Sequence, residues 1–419
     1  MNELIKRNTK WIYLSLPYNA SIGPISTLIT LQIISLGGNA LDVAYVISLG
    51  NLILIPSSMF WGFEADKMNR KKQILIGFSG TTLSLFLLSY SSSIPLIGLG
   101  YSLLVFTSTA VTTPFNMLIM ESAEKKYWGK LFSRFSLFSS IGVLIGLLLS
   151  TFLVQYFRIY QLILLLGITM GVTTIASIKI LPSPVINFER IAILHNKESF
   201  FTRLLHLPLM FLHLPNPHNF KMFSLKRLLR KPVNYVPLLY IAIVIFYISS
   251  GIFNTVYPAS LYVKGLSKAE ALLVITIGMV FQILGFRLAE KILMNRDEKD
   301  IAHKSLLLRA FSYIILGIGA LIFYGLGILV FGLIFYPLAA GIAFSMFYSA
   351  SNTLIFKIVG ERSQGKNLGI YSTIVGIALF VGSLLSGYIT HYLGYGIDFI
   401  IAGILLVISS WIFRYLEEG

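Results

Sequence analysis

Long apolar stretches separated by short charged clusters run from one end of this chain to the other. Most of the stretches reach about 18 residues or more, enough for a helix to cross a hydrocarbon layer. Their apolar residues neither keep to one face nor alternate strictly with polar ones. Inside lipid the backbone must satisfy its own hydrogen bonds, so the pattern predicts membrane helices and not barrel strands. Twelve helices are expected: 11–35, 41–62, 73–93, 94–119, 133–157 and 160–181, then 235–261, 269–291, 305–325, 327–356, 367–390 and 396–416. The expected class is an all-α polytopic membrane protein.

Composition agrees. Apolar residues make up 56% of the chain and charged residues 12%, where a soluble globular protein carries about 25% charged residues. Mean hydropathy is +0.80. The net charge of +16 would suggest nucleic acid in a soluble protein, but its distribution gives another reason. All but three of the 33 Lys and Arg cluster before helix 1, in every second connection, or after helix 12. The exceptions are Arg158, Lys264 and Lys268. This alternation follows the positive-inside rule and places both termini in the cytoplasm, in a cell-membrane protein. The basic balance is topology, so no nucleic-acid partner is expected. Met1–Lys10 is basic, but no small-residue cleavage site follows the first apolar run, so no cleavable leader is expected. The chain has no Cys, which excludes disulfides and thiolate metal sites.

Two halves repeat each other. Gly129-Lys130, Gly146, Ser150 and Tyr156 recur as Gly365-Lys366, Gly382, Ser386 and Tyr392, all 236 positions later. The expected organisation is an N-terminal six-helix bundle (1–181), a cytoplasmic linker (182–234) and a C-terminal six-helix bundle (235–419). Leu181-Pro182-Ser183-Pro184 opens the linker and Lys231-Pro232 closes it. Its basic amphipathic stretch Phe220–Arg230 is expected to lie on the anionic leaflet. His195, His206, His213 and His218 match no metal-site spacing, and no metal or other cofactor is expected.

The most specific motif lies between helices 2 and 3. Gly62, Asp66, Lys67, Arg70 and Lys71 form a glycine, an acid four residues on and a burst of cations within a tight hairpin. This loop resembles the signature loop of the major facilitator superfamily, whose members are twelve-helix solute transporters built from two six-helix repeats. Asn69 stands where that family usually has glycine, and it also tolerates a left-handed turn. The resemblance implies a gate. Asp66 would face the start of helix 11, Gly62 would let helix 2 pack closely there, and Arg70 would reach Glu121 at the end of helix 4. A weaker echo lies at Gly285–Lys291, and the symmetric set in the second half would be Glu290, Arg296 and Glu361.

The transport path is read from what the helix centres carry. They hold no Asp or Glu: Asp42, Glu270 and Asp398 fall at outer ends, Glu121 and Glu290 at inner ends. Helix 4 has no mid-helix Arg, and helix 5 has Gly142 and Gly146 without the Gly-Pro of drug–proton antiporters, so these glycines are assigned to close helix packing. By resemblance the cavity lies between helices 1, 4, 7 and 10. The side chains expected to line it are Asn19, Asn116, Tyr247, Asn254, Tyr257, Gln282, Tyr348 and Asn352, each equally able to bind neighbouring helices instead.

The expected function is alternating-access transport of a small neutral or apolar solute by a monomer in the lipid bilayer. Facilitated diffusion fits the carboxylate-free centres best, with His391 or Asp398 left as possible proton carriers. The alternatives are a lipophile exporter or a transport-inactive scaffold. A lipid-acting enzyme is disfavoured, because no paired intramembrane carboxylates, His-Glu-x-x-His or nucleophile elbow is present.

Overall fold

The computed structural model describes residues 9–122, 128–182, 235–293, 297–359 and 364–415. After a 3-10 turn at Lys10–Leu14 the helices are α1 (Ser15–Ile22), α2 (Ile25–Ser35), α3 (Ala40–Lys67), α4 (Arg70–Ser89), α5 (Ile94–Ser122), α6 (Trp128–Leu153) and α7 (Ile159–Ile180). The second half contains α8 (Tyr235–Val263), α9 (Lys268–Leu293), α10 (Glu298–Ile322), α11 (Leu326–Tyr336), α12 (Phe344–Val359), α13 (Gln364–Leu393) and α14 (Tyr395–Arg414). A π-helical stretch, Pro337–Ala343, joins α11 to α12. Among the described residues, eleven helical runs are long and apolar enough to span a membrane. The twelfth expected helix is the α1–α2 pair. Gly23 and Pro24 keep right-handed helical angles, and Gly23 N donates to Asn19 O at 2.8 Å, so the chain bends there without unravelling. Lipid-facing surfaces are plain: Ile168, Val172 and Ile175, one stripe of α7, are all exposed.

The repeat extends to the turns. After α2, Gly37 (φ 86°) closes the helix with Gly37 N on Ile34 O and Gly38 N on Ile33 O, both at 3.0 Å. After α8, Gly265 (φ 97°) does the same with Gly265 N on Tyr262 O and Leu266 N on Leu261 O, both at 3.1 Å. Such a left-handed cap is open to glycine at little cost. Each turn leads into a capping box, Asn39 with Asp42 and Ser267 with Glu270, which ties up two of the acids at these ends.

Helices within each half meet through glycine. A Cβ on Gly142 or Gly146 of α6 would stand 2.3 Å from Leu16 O or 2.2 Å from Ala20 O of α1. A Cβ on Gly382 of α13 would stand 2.3 Å from Ile248 O of α8. The repeated pair Gly146 and Gly382 therefore does one job twice: it lets a bare backbone approach. In α9, Gly278 faces the Tyr336 ring, while Gly341 of the π-helical stretch presses on Phe281 and Gln282 N.

The two halves touch along α3–α13 and α6–α9. Tyr45 and Tyr388 share a hydrogen bond of 2.9 Å, and a Cβ on Gly387 would meet the Ala44 Cβ. Deeper, Asn51 Nδ2 donates to Ser383 Oγ (3.2 Å) and Leu379 O (3.4 Å), and Ile55 packs on Gly376. At the second contact Thr151 and Thr276 are bonded at 3.1 Å. These inter-half hydrogen bonds lie at mid-depth or toward the side away from the termini. Further toward the terminal side, a Cβ on Gly62 would meet nothing described within 4 Å.

Candidate functional site

The hairpin between α3 and α4 is built by local rules. Asn69 N-caps α4, its side chain accepting from Lys71 N at 2.9 Å. Its φ is −63°, so the expected left-handed turn is absent and Asn69 replaces glycine as a cap. Arg70 is nearly buried. Its Nη1 donates to Ala65 O at 3.2 Å and its Nη2 lies 2.7 Å from Glu121 Oε1 at the end of α5. Lys71 Nζ reaches Leu181 O at 3.2 Å, capping the carbonyl end of α7. One loop thus clamps the ends of three neighbouring helices. A Cβ on Gly62 would meet nothing described within 4 Å, and the side chains at the start of α13, which it was expected to pack against, lie outside the described residues. The side chains of Asp66, Lys67 and Glu290, together with Arg296, Glu361 and the 183–234 linker, lie outside the described residues.

The residues expected to line a cavity scatter. Asn19 is half-buried and donates to Ser15 O of its own helix at 2.7 Å. Asn116, Gln282 and Asn352 are half-buried and Asn254 is exposed. Tyr257 is 2% exposed. It belongs to the interior of the second half, where it stacks on Tyr336 at 4.7 Å and Phe253 at 4.6 Å.

Tyr247 and Tyr348 instead belong to a cluster of phenols. The Tyr247 and Tyr371 hydroxyls are 3.5 Å apart, bridging α8 and α13. Tyr240 lies one helical face-repeat before Tyr247, its ring 6.5 Å from that of Tyr371. Tyr348 of α12 is 38% exposed and stacks on Phe344 at 5.4 Å.

Behind this cluster lies Arg309, a charge that the sequence analysis counted with the cations of a connection, although it falls inside the expected helix 305–325. Arg309 is at the middle of α10 and 2% exposed. Its Nη2 and Nε donate to Tyr313 Oη at 2.6 and 3.0 Å, while Nη1 is buried without a partner. The guanidinium lies over the rings of Phe246, Tyr313 and Phe344 at 5.0, 5.1 and 5.2 Å. Phe246 in turn touches Tyr247 (5.0 Å between centroids), and Phe344 stacks on Tyr348. A legible signal existed. Asp297 N-caps α10, and Glu298 and Asp300 occupy its first turn, so the helix begins well before 305 and Arg309 falls near its middle and not near its end.

Asp398 is the second charge of unexpected depth. It lies within the first turns of α14, fully buried, and Ser386 Oγ donates to its Oδ2 at 3.2 Å. His391 is exposed. No group of three or more potential metal ligands occurs among the described residues.

The sequence pattern of the Major Facilitator Superfamily matches residues 14–340 and 310–418, nearly the whole chain. The chain belongs to this superfamily. It is similar to an uncharacterized MFS-type transporter of Methanocaldococcus jannaschii, 24% identical over 99% of this chain and 97% of that protein. Solved structures share the fold: the nucleoside transporter NupG (TM-score 0.68, 15% identity, 97% and 98% of the two chains) and a POT family transporter in complex with 5-aminolevulinic acid (TM-score 0.73, 14% identity, 96% and 94%). It is thus a multi-pass membrane transporter of the MFS type.

Proposed function

We propose that this MFS-type protein carries a small solute across the membrane by alternating access between its two six-helix halves. One observation carries the reading: inter-half hydrogen bonds gather at mid-depth and toward one side, while Gly62 on the other side meets no described neighbour. With the termini in the cytoplasm, as the cation distribution indicates, this conformation is closed outside. The α3–α4 hairpin would then take up its gate role in the opposite state, with Asp66 and Gly62 meeting the start of α13. Asn19, Asn116, Asn254, Gln282 and Asn352 are the amides to examine along the path, and Tyr247 and Tyr348 its phenols. With the membrane centres free of described carboxylates, facilitated movement needs no coupling ion.

The absence of native Cys makes the test direct. Spin labels on Tyr45→Cys and Tyr388→Cys in liposomes should give two distance populations: a short one matching this structure and a longer one with the outer side open. A single short distance at every pH and in every lipid mixture tried would sink alternating access and favour the scaffold. Once a substrate is found, uptake without a pH gradient should equal uptake with one.

A further inference from the structure

Arg309 is a permanent cation at the middle of a membrane-spanning helix, and no described carboxylate pairs with it. Burying such a charge is costly, and proteins usually compensate it or use it. Here the compensation is partial. Three aromatic faces and one phenol oxygen serve the guanidinium, and Nη1 is left without an acceptor. One ring further on, across Phe246 and Phe344, are Tyr247 and Tyr348, with Tyr371 beside Tyr247.

A phenol cluster alone is ambiguous. Its ring faces attract cations, and its hydroxyls donate to anions. The buried guanidinium decides between these. A second cation placed among the tyrosines would be repelled across a low-dielectric wall, whereas an anion there would gain both the field of Arg309 and phenol hydrogen bonds.

We propose that the tyrosine cluster of α8, α12 and α13, with Arg309 behind it, is the binding site for an anionic group, a carboxylate or phosphate, on the transported solute. The proposal rests on the transporter reading above and departs from the neutral or apolar solute expected from the sequence. That expectation assumed uncharged helix centres, and Arg309 lies in one.

The test is thermal unfolding of the purified full chain in detergent, which reads binding and requires no transport. Each probe is paired with an uncharged analogue: benzoate with benzamide, succinate with succinamide, glucose 6-phosphate with glucose. At least one anion should raise the unfolding temperature above the effect of its analogue. Arg309→Met should abolish that difference. Arg309→Lys, which keeps the charge but not the fork, should require roughly 10- to 100-fold more anion for the same shift. A purely structural arginine would lower the baseline temperature in Arg309→Met and leave the anion effect intact, and that result overturns the proposal. So does equal stabilisation by the neutral analogues, or no anion effect on the native chain. Should Arg309→Met fail to fold, Tyr371→Phe and Tyr348→Phe provide the readout, because each must weaken the anion effect selectively. Any of these failures would leave alternating access to be judged by the spin-label distances.

Discussion

The hydroxyls of Tyr45 and Tyr388 meet at 2.9 Å across the boundary between the two halves, one residue from the place where Gly387 lies against Ala44. Both rings are substantially exposed. Their bond can therefore be exchanged for water, which suits a contact that must form and break in every cycle.

Removing one hydroxyl should loosen this closure without unfolding the protein. Tyr45→Phe or Tyr388→Phe should cost the closed state about 0.5–1 kcal/mol. That is about a two- to fivefold shift toward the long distance between labels placed elsewhere on the same interface. Gly387→Ala should shift it further, because its Cβ would stand 2.3 Å from the Ala44 Cβ. Unchanged populations in both would show that the closure is held by other contacts.

Glu121→Gln should destabilise the first half by about 1–2 kcal/mol, since Arg70 is largely buried and would lose a charged acceptor at 2.7 Å. Arg70 keeps its bond to Ala65 O, so the protein should still fold. Denaturant unfolding of the purified variant checks this, and no change would show that solvent replaces the carboxylate.

The glycines give a contrast within one experiment. Gly146→Ala and Gly382→Ala each force a methyl against a carbonyl oxygen at under 2.5 Å, so each should lower stability by about 1–3 kcal/mol. Gly62→Ala meets no described neighbour and should leave thermal stability unchanged in this conformation. If Gly62 packs against α13 in the opposite state, Gly62→Leu should instead enrich the conformation seen here, read from the same label distances. Equal losses from Gly62→Ala and Gly146→Ala would refute the contrast.

How much could be read beforehand depends on the range of the forces involved. Helix number followed from local hydropathy, because a spanning segment must satisfy its own backbone. Arg70 and Glu121 were legible as partners through the resemblance of one loop to the superfamily's signature. Gly146 was legible as a packing residue, and the structure gives it and its repeat Gly382 the same task against α1 and α8. Arg309 was counted with the cations of a connection because the expected helix start lay a few residues late, at 305; with the helix beginning at Glu298 it lies near the middle. Tyr257 lined a path by helix number and is buried by helix rotation, which a nearly uniform apolar segment does not encode.

The sequence by itself thus determined the class, the number of spans, the alternation of charged connections and the two-fold repeat, since these follow from hydropathy and charge read along the chain. Tertiary structure alone decided which residues meet across the two halves, which tyrosines converge, and that one arginine is enclosed among rings with no described counter-charge. Those outcomes depend on how helices rotate and cross, and that is set by side-chain contacts between segments far apart in the chain.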